Sequence, residues 1–227
     1  MGERSPLAGF LALLLAALAF AACLPRWTID PAVPASVAPI ALGKRPDGAI
    51  AIADWVLVDA TPPGPVERES DRRVTVETRA ALTLRAADGA LWKGDCKLDG
   101  GDGGVWLEAH WTLECVFLAG EERHELSLAG RGGDSLFDAP QITGTVISRG
   151  HQTGPRGDEL TCRGTMREMT FYRTRRDEGF APRVLAPVAA VTLGSEGALY
   201  LTPELDAALR VEVMLGVGTL VSLREAR

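Results

Sequence analysis

Thirteen residues near the middle of the chain set the strongest constraint on its fold. Val105, Leu107, Ala109, Trp111, Leu113, Cys115 and Phe117 share one parity, while Trp106, Glu108, His110, Thr112 and Glu114 share the other. Side chains of a strand alternate between its two faces, so such a stretch is an extended strand with one dry side and one wet side. The same period recurs upstream, where Val74, Val76, Ala80, Leu82 and Leu84 alternate with Thr75, Glu77, Arg79, Thr83 and Arg85. Asp88 and Gly89 then supply the residues a tight hairpin turn needs, and the chain returns over 91–98 with Trp92, Cys96 and Leu98 on one face.

Further strands are predicted at 49–58, 124–128, 141–148 and 184–193. Thr61, Pro62, Pro63, Gly64 and Pro65 are read as a firm interruption after the first of these. Residues 160–173 read as one strand, with a phase slip at Arg167 and Glu168 that suggests a bulge. Strands joined by short Gly-rich turns predict a mainly β fold, an antiparallel barrel or sandwich. The C-terminus changes period. Thr202, Pro203 and Glu204 predict a helix start, Leu205, Ala208, Leu209 and Val213 recur at helical spacing, and no charge appears from 213 to 223. One hydrophobic C-terminal helix is therefore expected, ended by Gly216 or Gly218, with 219–223 as a last strand.

The other end carries an address. From Leu7 to Leu24 no charged or strongly polar residue occurs, a run long enough for a short membrane helix. This predicts an N-terminal signal or anchor helix over 1–23. Pro25, Pro31, Pro34, Pro39 and Pro46 then mark a tether over 24–48, which leaves 49–227 as a single β-rich domain. Phe20, Ala21, Ala22 and Cys23 resemble the lipobox of bacterial lipoproteins, departing from it at Phe20, where an aliphatic residue is usual. That resemblance implies lipid on Cys23. Ordinary cleavage after Ala19, Phe20 and Ala21, or an uncleaved anchor, are the other two readings. Each of them exports the domain, to the periplasmic or cell-surface side of a membrane.

Chemistry is harder to find. Cys96 and Cys115 fall on the apolar parity of strands expected to be neighbours and are the favoured disulfide pair; no spacing is C-x-x-C or suits zinc. His110 with Glu108 reads as a wet outer face, and Asp99 to Gly104 as a turn rather than a calcium loop. No nucleophile elbow or other catalytic context accompanies His124 or His151. A net charge of −6 argues against nucleic acid as a partner. The residues singled out for interaction are Trp106, on the wet parity, and the compact basic cluster Arg173, Arg175 and Arg176 beside Tyr172, suited to anionic headgroups or an acidic partner. The stretch from Leu199 to Leu209, running into 213–223, resembles the end of the tubby-like and LURP-one/scramblase group, which implies a barrel closed around a hydrophobic helix. No functional residue transfers. The expected function is that of a non-catalytic β domain of the bacterial envelope, tethered to a membrane, binding another envelope protein or a lipid, or serving structurally. A small envelope hydrolase or a carrier of an apolar ligand is the alternative. No cofactor is expected.

Overall fold

The computed structural model describes residues 29–30, 32–70, 73–99, 111–131, 141–148, 158–175, 183–194, 197–203 and 205–225. They hold thirteen strands and two helices. A short helix α1 (Ala32–Ser36) precedes β1 (Ile40–Ala41), β2 (Gly43–Lys44), β3 (Ile50–Ile52), β4 (Trp55–Ser70), β5 (Arg73–Arg85) and β6 (Leu91–Asp99). Then come β7 (Trp111–Ala119), β8 (Glu122–Arg131), β9 (Gln141–Ser148), β10 (Asp158–Gly164), β11 (Glu168–Arg175), β12 (Arg183–Thr192) and β13 (Ala198–Leu201). The helix α2 (Ala207–Glu225) ends the chain.

From β2 to β13 each strand pairs antiparallel with the next in sequence, and β1 pairs with β13. The two ends of this meander meet in one segment. Ile40 and Ala41 lie against Leu199 and Ala198, while Gly43 and Lys44, two residues on, lie against Ala51 and Ile50. The Leu42 N–H between them donates to Gly197 O at 2.9 Å. Residues 40–44 thus join both edges, and the sheet is a nearly closed barrel. Closure removes the open edges that would otherwise invite pairing with other chains.

Helix α2 fills the interior. Every residue from Glu212 to Leu223 is buried, so this part of the helix has no wet face. Its packing shows why Gly216 and Gly218 do not end it, contrary to the expectation of a last strand at 219–223. A Cβ on Gly216 would lie 2.8 Å from the Phe171 ring, and one on Gly218 would lie 2.6 Å from Leu84. Both glycines let the helix backbone press against the barrel wall. The start also differs from expectation. Thr202 turns back to the sheet, its hydroxyl donating to Val188 O at 3.0 Å, and Asp206 caps the helix by accepting the Leu209 N–H at 2.8 Å.

Two strand boundaries also move. Pro62, Pro63 and Pro65 do not interrupt β4, which continues to Ser70. Pro62 and Pro63 fall at a register shift between Thr61 and Gly64, Pro65 pairs opposite Thr78, and β3 pairs only with Trp55 to Leu57, so missing donors there break no described ladder bond on the β3 side. The phase slip at Arg167 and Glu168 is a hairpin, not a bulge. Thr165 Oγ1 accepts the N–H groups of Arg167 and Glu168 at 3.1 and 3.2 Å, and β11 folds back on β10 with Met169 opposite Gly164. The bulges lie one strand later, where β12 meets β11.

The described part of the Pro-rich stretch 24–48 belongs to the body. Asp30 donates its N–H to Thr170 Oγ1 at 3.0 Å, and Val33 is fully buried. Among the described residues no helix is long and apolar enough to cross a membrane.

Candidate functional site

The core packs the inner faces of the strands against α2, with Phe117, Phe171, Leu84, Leu113 and Met214 among its largest fully buried side chains. A polar pair sits within it. His124 on β8 shares its inward parity with Leu126 and Leu128 and is 5% exposed; Glu212 on α2 is 4% exposed. His124 Nδ1 stands 3.9 Å from Glu212 Oε1, too far for a hydrogen bond, and has no hydrogen-bond partner among the described residues. The imidazole meets the Trp92 ring edge-on with centroids 5.0 Å apart, and Trp92 stacks on Trp55 at 6.5 Å. Burial pushes the His124 pKa below the ordinary histidine value, against an upward pull from the Glu122 carboxylate. His124 opens the strand expected at 124–128. Its parity with Leu126 and Leu128 was the signal for an inward position; nothing local announced Glu212.

Cys96 on β6 and Cys115 on β7 are cross-strand neighbours, Cα atoms 4.0 Å apart, and are joined as a disulfide. Cys162 is a free, fully buried thiol on β10, its pKa pushed up to about 12 by burial. Cys23, Trp106, Arg176, Glu108, His110 and His151 lie outside the described residues. Arg173 and Arg175 are both half-buried on β11. Among the described residues no three of His, Cys, Asp and Glu converge closely enough to hold a metal ion.

Two concavities among the described residues open to the outside. One, of about 590 Å³, surrounds the start of α2, between the turns at Ala53 and Asp54, at Asp88 and at Gly120. Asp54 there holds Arg210 at 2.9 Å, and Trp55, Trp92 and Val211 supply the apolar base. The other, of about 580 Å³, lies on the outer wall where Ser127, Thr145, Thr161 and Tyr172 form one cross-strand row beside Arg163. No family model, curated protein or solved structure matches the chain. The wall groove is shallow and open, its lining more apolar than polar. Asp30 borders it: burial raises the Tyr172 pKa, and the nearby Asp30 carboxylate adds to the shift.

Proposed function

We propose that this protein is a membrane-tethered, non-catalytic β-barrel module of the bacterial cell envelope, and that it binds another envelope component through its outer surface. The observation that carries the proposal is the burial of α2 from Glu212 to Leu223. A barrel with a helix along its axis has no interior volume left for a substrate or an apolar cargo, so recognition falls to the wall and the mouth. This weighs against the carrier reading. The apolar leader from Leu7 to Leu24 and the lipobox-like Phe20, Ala21, Ala22 and Cys23 support export and anchoring. The Cys96–Cys115 bridge suits an oxidising compartment.

The test is cross-linking in intact cells, followed by recovery of the full chain from envelope fractions and identification of what comes with it. A defined envelope component, enriched over a control barrel carrying the same leader, is the expected result. Recovery from the cytosol would overturn the proposal, as would envelope recovery with nothing above the control. Tight stoichiometric uptake of an apolar dye by the folded protein would return the carrier reading.

A further inference from the structure

We propose that residues 34–48 form a flap on the seam of the barrel. The flap parts from β13 while the rest of the sheet and α2 stay folded, and it so controls access to the β13 edge.

Burial supplies the first argument. The segment is pinned at both ends, by Val33, which is fully buried, and by Ala49, which is 8% exposed. None of the fifteen residues between them is buried. Apolar burial is what holds most elements in place, and this one has little of it to lose on leaving.

Pairing supplies the second. β1 meets β13 over two residue pairs, Ile40 with Leu199 and Ala41 with Ala198, and the Leu42 N–H bond to Gly197 O extends that contact. By comparison, β7 and β8 share nine pairs. On its other side the segment is a local hairpin. Gly43 and Lys44 pair with Ala51 and Ile50, and Arg45 donates its N–H to Ala49 O at 2.7 Å. The parting line is therefore β1 against β13.

What the flap covers is the third. Between it and the last turn of α2 lies a cavity of about 160 Å³, lined by Leu42, Ile50, Gly197, Val221 and Arg224. Across this cavity Lys44 reaches Glu225 at 3.6 Å, an exposed ion pair of the kind that contributes little. Parting bares the N–H and C=O groups of β13 that face β1, a strand edge the closed barrel hides.

Hydrogen exchange of the Leu42 amide, followed by NMR on the full chain in detergent micelles, tests the flap. Ala41→Cys with Ala198→Cys places a lock across the parting line, because the two residues are directly opposed, as Cys96 and Cys115 are. Ala41→Ser with Ala198→Ser is the control. In the unaltered chain Leu42 should exchange at least about a hundredfold faster than the slowest amides of β6 to β8, with little dependence on urea below the midpoint. The oxidised lock should slow Leu42 at least about tenfold against the control and leave β6 to β8 unchanged. Exchange of Leu42 in step with β6 to β8, at the same urea dependence, overturns the flap, since the seam then parts only on global unfolding. A formed lock that leaves Leu42 as fast as in the control overturns it too.

Discussion

His124 on the barrel wall faces Glu212 on the central helix across 3.9 Å, each about 95% buried, in a core that is otherwise largely apolar. Burial holds the imidazole neutral by lowering its pKa. Protons therefore bind the unfolded chain more readily than the folded one in the window just below the ordinary histidine value. Stability is full above about pH 6.5 and is lost as pH falls through the folded pKa. We expect the urea midpoint to drop between about pH 7 and pH 5, with a histidine share of at most about 1.4 kcal/mol per pH unit. His124→Gln should flatten that slope. An unchanged slope in the variant would place the pH dependence elsewhere.

Gly218 tests the helix-in-barrel packing. A Cβ there meets the Leu84 side chain at 2.6 Å, and Leu84 is itself fully buried. Gly218→Val should cost about 1–3 kcal/mol by overpacking, lowering Tm by several degrees in a thermal melt followed by circular dichroism. A helix that ended at Gly218 would leave the valine harmless.

The strand reading was legible because parity is local. From 74 to 85 and from 111 to 117 each side chain announces its own face, and Asp88 and Gly89 announce their turn, with Gly89 at φ +90°. What sequence hid depends on distant partners. Whether Pro62, Pro63 and Pro65 break a strand is decided by how short β3 is, and the prolines cannot show that. Gly216 and Gly218 look like helix ends until Phe171 and Leu84 are seen against them. The docking of Asp30 on Thr170 was not legible either, because that contact spans 140 residues.

The Cys96–Cys115 bridge closes a loop with a sequence separation of 19. Removing it with Cys96→Ala and Cys115→Ala together should lower the unfolding free energy by about 3 kcal/mol through the looser unfolded chain. Denaturant titration of oxidised, reduced and variant protein measures this. Equal midpoints for the three would show that the bridge contributes nothing.

Cys162 should be silent in the native state. It is fully buried and its thiol is pushed up to about 12, so thiolate is scarce at neutral pH. Iodoacetamide mass labelling should leave Cys162 unmodified in native protein and modify it fully in denaturant. Rapid native labelling would mean that β10 opens readily.

The barrel is occupied by helix α2, buried from Glu212 to Leu223, and native-state hydrogen exchange reads that occupation directly. Amides of residues 213–221 should be among the slowest in the molecule, exchanging only through global unfolding and losing protection in step with denaturant midpoints. Exchange of this segment within seconds, while β6 to β8 remain protected, would mean that the helix leaves the barrel, that the interior is open to a ligand, and that the surface-binding account is wrong.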